Sequence, residues 1–194
     1  MNDKKDITKK INCIIDCDPG VDDSVGIALS LYDELMDIKL ITTVNGNLNI
    51  DIVTRNLLHI LEKFQRTDIP VAKGASVSMG KVMPDASFIH QKSGMGGYNP
   101  PQTVKTKPID KTAVEAMYEV IKQHPKDISI IALGPHTNVG QLIKEHPDVV
   151  SMINHIYCEG CHSISCNGLA CNSIVSESGN GTLLLEDIDE ISVP

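Results

Sequence analysis

The sequence predicts an α/β fold in which a parallel sheet carries helices on both faces. Three observations support this. Short Ile- and Val-rich runs recur along the chain, segments with apolar residues at helical spacing separate them, and several runs stop at turn-forming residues. Strand–helix alternation of this kind builds a parallel sheet, because each crossover returns the chain to the same end of it.

The first strand is Ile11 to Cys17, closed by Asp18-Pro19-Gly20. Val21 to Leu35 follows as a helix, apolar at 21, 25, 27, 28, 29, 31 and 35, with Asp22 and Asp23 in the first turn, where the helix dipole favours negative charge. Ile38 to Val44 is the second strand, ended by Asn45-Gly46-Asn47, and residues 51–64 form the second helix. Ile69 to Ala72 is a short third strand. Residues 73–110, rich in Gly, Pro, Ser and Lys, read as a long loop, and loops of such length inside a compact domain are usually functional or mobile. A helix over 111–123 and a strand over 127–133 come next. Gly134-Pro135 breaks that strand, and Thr137 is positioned to cap a helix running to about Glu145. Met152 to Tyr157 is the last strand of the alternating pattern. The sequence therefore divides at residue 157, with an α/β domain over 1–157 and a divergent tail over 158–194, rich in Cys, Ser and Gly and then acidic.

Composition narrows the function. The chain has 194 residues, with 17 Lys and Arg against 25 Asp and Glu, a formal charge of −8. That balance, with six aromatic residues and no Trp, argues against nucleic-acid binding, which needs clustered cations and stacking platforms. No apolar run approaches the roughly 20 residues that span a bilayer, so no membrane partner is expected. The polar opening MNDKKDITKK does not read as a signal peptide, and a cytoplasmic chain with reduced cysteines is the expectation.

The strongest motif is Asp16-Cys17-Asp18-Pro19-Gly20-Val21-Asp22-Asp23, with four carboxylates in eight residues at the C-terminal end of the first strand. Ligands of parallel α/β sheets bind at that end. Apolar flanks bury the cluster, and buried carboxylates need a cation; oxygen donors select a hard one, Ca²⁺ or Mg²⁺. Asn45-Gly46-Asn47 is either an ordinary turn or a source of an amide for a polar substrate. At Leu133-Gly134-Pro135-His136-Thr137-Asn138 a backbone carbonyl is available to a cation. His90 precedes a Gly-rich stretch, Ser93-Gly94-Met95-Gly96-Gly97, able to close over a ligand, although a lone loop His is more often simply solvated.

Together these segments resemble the nucleoside hydrolase family of the inosine–uridine-preferring type. Asp16 to Asp23 matches its opening D-x-D-P-G-x-D-D, and the likeness continues through Ile41 to Asn47, His90 with Ser93 to Gly96, and Leu133 to Asn138. The resemblance implies a Rossmann-like, predominantly parallel sheet, with the C-terminal part of the family fold missing. It implies hydrolysis of the N-glycosidic bond of a ribonucleoside to free base and ribose, with Ca²⁺ as cofactor and a dimer or tetramer as assembly. By the same resemblance Asp18, Asp23 and the Leu133 carbonyl are metal ligands, and Asp18 is also the water-activating base. Asp22 and Asn47 bind substrate, His90 lies near the base, and Asp16 orients the cluster. Family members run to about 300 residues, roughly twice a modal domain. No Glu-Phe-Asn segment follows Tyr157 here, so a partial pocket and impaired hydrolysis are expected.

Other readings compete. One is an inactive, non-catalytic nucleoside or ribose binder. Another is a haloacid dehalogenase-type phosphatase, suggested by Asp16-x-Asp18 and disfavoured by Gly20. Gly74 to Val82 imitates a phosphate-binding loop but has five residues between its glycines and Val82 where Ser or Thr belongs. Cys158, Cys161, Cys166 and Cys171 have a spacing close to that of a zinc knuckle, without its basic and aromatic surroundings; unligated thiols are the preferred reading.

Overall fold

The computed structural model describes residues 9–77, 79, 86–158, 176–178 and 182–184. Five parallel strands, β1 (Ile11–Cys17), β2 (Met36–Thr43), β3 (Val71–Lys73), β4 (Ile128–Ala132) and β5 (Ile153–Cys158), form one sheet in the order β3-β2-β1-β4-β5. The helices are α1 (Val21–Tyr32), α2 (Ile50–Lys63), α3 (Ser87–His90), α4 (Ala113–Gln123) and α5 (Thr137–Glu145), and a 3₁₀ turn over Pro147–Ser151 leads into β5. Strands β6 (Ser176–Ser178) and β7 (Thr182–Leu184) pair antiparallel as a separate ribbon.

Strand alternation sorts the core into two layers. Cys13, Ile15 and Cys17 pack with Ile27 and Leu31 of α1 and Leu57, Leu58 and Leu61 of α2. Ile14 faces the other way, against Met117 and Ile121 of α4 and Val139 and Leu142 of α5. The chain steps outward from β1 to β3 and then returns to β4 on the other side of β1. Right-handed crossovers in opposite directions put α1 and α2 on one face and α4 and α5 on the other. The reversal lies between β1 and β4, so a crevice opens at their C-terminal ends.

Two bulges interrupt the simple alternation. Cys13 pairs with Ile38 and Ile14 with Leu40, which leaves Lys39 as an extra residue. Ile38 and Leu40, two apart, therefore pack on opposite faces of the sheet. Ile128 pairs with Ile153 and Ser129 with His155, so Asn154 is extra, and Ile153 and Ile156 face the same core.

The predicted elements reappear with adjusted ends. The first helix stops at Tyr32, and the Leu35 carbonyl accepts from the Ile11 N–H instead. The third strand begins at Val71, because Pro70 has no N–H to give the ladder; its carbonyl accepts from Ile41. The loop expected over 73–110 contains α3. Thr137 does not cap α5: it is the first helical residue, His136 is the N-cap, and no side chain caps that end. Capping by side chain occurs elsewhere. Asn49 accepts from the Ile52 N–H, and Thr112 with Glu115 forms a reciprocal capping box. Cys13 and Cys17 are buried core residues. Cys161, Cys166, Cys171 and most of the acidic tail lie outside the described residues, as does part of Gly74 to Val82. Among the described residues no helix is long and apolar enough to cross a membrane.

Candidate functional site

Asp18 sits just past β1, with a relative exposure of 4%. Its position follows from three backbones that approach it closely. Oδ2 accepts from the Asn47 N–H at 2.5 Å, and the Asn47 side-chain amide donates to the Asp18 carbonyl at 3.0 Å. A β-carbon on Gly46 would fall inside van der Waals contact of Oδ2, and one on Gly134 would meet Oδ1 at 2.5 Å. The turns after β2 and β4 thus clasp one carboxylate, and only glycine leaves room for it. Asp23 closes the near side: its Oδ2 accepts from the Asp18 N–H at 3.2 Å, and its relative exposure is 5%.

His90 enters from α3. It is buried, not solvated in a loop, and its ring lies where a β-carbon on Gly20 would stand, 2.7 Å away. The same β-carbon would meet the Asn47 amide at 2.8 Å, so the Pro19-Gly20 turn is what lets His90 and Asn47 converge beside Asp18. The Val21 N–H donates to His90 Nδ1 at 3.2 Å, which assigns the neutral ring its proton on Nε2. The Ala86 N–H donates to the Asn47 carbonyl and ties the start of α3 to the same turn. Asp22 stands 4.0 Å from His90 Nδ1, and its side chain is 71% exposed, open to the crevice mouth. Leu133 donates its N–H to the Asp16 carbonyl at 2.8 Å, which fixes Gly134 against Asp18.

Asp16 is fully buried on the α5 side of the sheet. Its Oδ1 accepts from Thr42 Oγ1 at 2.6 Å and from the Asn138 amide at 2.7 Å; Oδ2 has no hydrogen-bond partner among the described residues. Asn138 is the residue that sequence reasoning did not single out. Its amide also donates to the Thr43 carbonyl, and its Oδ1 accepts from the Ala75 N–H, so it joins β1, β2, α5 and the turn after β3. The signal was the polar Asn at a strand-to-helix junction, but its partner lies 122 residues away in the chain.

The electrostatics are those of a site short of positive charge. Burial pushes Asp16 up to about 7, against the hydrogen bonds from Thr42 and Asn138 that favour the ion. Burial, then the charge of Asp23, pushes Asp18 up to about 8, and burial with the same carboxylates holds the Cys17 thiol well above its ordinary range. Among the described residues no ion pair reaches Asp16 or Asp18. No described group of three or more His, Cys, Asp and Glu side chains is arranged to hold a metal ion. The described donors are nevertheless all oxygens, two buried carboxylates side by side, and a hard cation is the counter-charge that set lacks.

A pH dependence follows. A carboxylate whose folded pKa is raised contributes stability that is fully present below its unfolded value near 4 and lost as pH rises through the folded value. For Asp16 and Asp18 the window runs from 3.8 to about 8. Without added metal the chain is expected to lose on the order of a few kcal/mol between pH 5 and 8 from these two groups. Urea unfolding at both pH values measures it, and a stability that rises over that range contradicts the assignment.

Comparison with known proteins places these features in a family. The model of the inosine-uridine preferring nucleoside hydrolase matches residues 13–182. The non-specific ribonucleoside hydrolase RihC of Salmonella paratyphi B is 35% identical over 154 residues, which are 79% of this chain and 50% of RihC. Among solved structures, the plant nucleoside hydrolase PpNRh1 superposes with a TM-score of 0.73 at 34% identity, covering 77% of this chain and 48% of that one. The purine-preferring ribonucleoside hydrolase of Gardnerella vaginalis gives 0.72 at 29%, with 77% and 48% covered. The chain spans about half the length of the curated relatives it matches.

Proposed function

The chain belongs to the inosine-uridine preferring nucleoside hydrolase family, and from that premise we propose that its Asp18 site hydrolyses the N-glycosidic bond of ribonucleosides to free base and ribose. The observation that carries the reading is Asp18 itself: a carboxylate clasped by the turns after β2 and β4, beside Asp23, at the reversal point of the sheet.

A water molecule attacks C1′ from the Asp18 side, and Asp18 takes its proton. A positioned carboxylate is a common group for that task, and the backbone clasp fixes this one in place. The transition state has oxocarbenium character, and the negative charge gathered at Asp18 and Asp23 stabilises it. Exposed Asp22 accepts from a ribose hydroxyl, and the Asn47 amide lies alongside as a second polar contact. His90, with its proton on Nε2, faces the departing base as a neutral hydrogen-bond donor. Asp18, Asp23 and the Leu133 carbonyl are the proposed metal ligands; Ca²⁺, when bound, supplies the missing positive charge and orients ribose hydroxyls. Asp16 and Asn138 hold the floor of the site rigid. A cytoplasmic dimer or tetramer acting on purine and pyrimidine nucleosides in salvage completes the reading.

The test is release of hypoxanthine from inosine and uracil from uridine, with Ca²⁺ and after chelation. Turnover that chelation abolishes is expected. Ca²⁺-dependent binding of ribose without any turnover favours the non-catalytic binder instead, and the absence of both refutes the assignment. The phosphatase alternative has no support from the family match.

A further inference from the structure

A second cavity lies away from these residues, between α2, the end of β3 and the segment 102–108. It is a groove open to solvent with a volume of about 390 Å³, and none of Asp18, Asp23, Asn47 or His90 lines it. We propose that it binds a small molecule bearing an oxyanion, a phosphate monoester or organic carboxylate, through Arg55 and Lys73.

Arg55 is the reason. Its Nη2 donates to two neutral oxygens, Asn56 Oδ1 at 3.0 Å and the Ser93 carbonyl at 3.4 Å. Its Nε is buried with no acceptor, and no carboxylate pairs with the guanidinium among the described residues. A half-buried guanidinium without a counter-charge is unfavourable, and its planar fork of donors matches a carboxylate or phosphate. Lys73 supplies a second cation at the same cavity. It pairs at 2.5 Å with Asp51, a carboxylate that also lines the cavity; the Asp51 side chain is 80% exposed, so a bound oxyanion competes with it for Lys73 while Asp51 turns to solvent. Leu58, Val104 and Pro108 give the cavity an apolar wall. The ligand that fits has one charged end and an organic body; a bare ion would leave that wall uncovered. The site is also coupled to the first one: the Ser93 carbonyl held by Arg55 and by the buried Asn56 belongs to the turn that follows His90.

The experiment titrates the full chain with inorganic phosphate, ribose 5-phosphate and benzoate, read by calorimetry and by amide NMR shifts. Ribose 5-phosphate or benzoate is expected to bind with a Kd of about 1 mM or below, and more tightly than inorganic phosphate. Lys73→Met, on an exposed residue, should weaken binding by about tenfold, and Arg55→Gln by more. Shifts are expected at Ser93 and Gly94, and Asp18→Asn should leave the affinity unchanged, which separates this site from the ribose site. Binding of inorganic phosphate alone, with the same dependence on Lys73, identifies a bare phosphate as the ligand and upholds the oxyanion site while removing the role of the apolar wall. No binding of any probe at about 10 mM overturns the proposal. So does binding that Lys73→Met leaves intact, a result that stands even if Arg55→Gln fails to fold.

Discussion

Asp18→Asn is expected to abolish the proposed nucleoside hydrolysis and at the same time leave the chain as stable as before, or more stable. Removing a general base costs about 10² to 10⁴ in kcat. The amide keeps an oxygen for the Asn47 N–H at the same position, so the turn after β2 need not move. What disappears is a buried charge beside Asp23, which the folded chain accommodates only by raising its pKa to about 8. The sign is therefore fixed. Well below the ordinary value of 3.8, near pH 3, the acid is largely neutral in both folded and unfolded chains, and wild type and variant differ least. As pH rises toward 8 the wild type loses the contributions of both Asp16 and Asp18 and the variant only that of Asp16, so the variant melts higher in metal-free buffer. Added Ca²⁺ reverses the order, because it stabilises only the form with a charged ligand. Parallel assays and thermal melts at two pH values measure all of this. A variant that loses activity because it unfolds would remove Asp18 from the mechanism and make it a structural residue.

That dissociation reflects how the site is built, and how much of it could be read before the fold was known. The strands were legible because Ile and Val crowd into short runs, and the crevice was legible because Asp18 and Asn47 follow two of those runs and Leu133 ends a third. Parallel strands bring their C-terminal ends together whatever the intervening loops do. Three things were not legible. The bulges at Lys39 and Asn154 leave no mark in the residue types, since alternation on a strand buried on both faces carries little information. The missing side-chain cap at α5 could not be foreseen from Thr137, because a Thr suits the N-cap or the first turn, and the Pro135 break left the start uncertain by one residue. Contacts between distant segments were the largest omission. Asn138 with Asp16, and Arg55 and Asn56 with Ser93, are hydrogen bonds between ordinary polar residues, and nothing local distinguishes them from solvated ones.

The glycines show the same boundary from the other side. Gly46 reads from sequence as the middle of a turn, where its backbone freedom would explain it. The structure gives a different reason: its φ is not in the left-handed region, and an alanine there would be unstrained in its backbone. The obstacle is the carboxylate. A methyl group at Gly46 would overlap Asp18 Oδ2 and come to 2.7 Å from Pro135 Cδ. Gly46→Ala is thus expected to destabilise the chain by about 1 to 3 kcal/mol, the usual cost of overpacking, and to eliminate Ca²⁺ stabilisation because Asp18 is displaced. The cause can be isolated with a double-mutant cycle. In an Asp18→Ala background the overlapping oxygen is gone, so adding Gly46→Ala should cost well under half as much, the remainder being the contact with Pro135. If the cost is the same in both backgrounds, Gly46 acts through its backbone, and the close approach that clasps Asp18 is not what makes glycine necessary there.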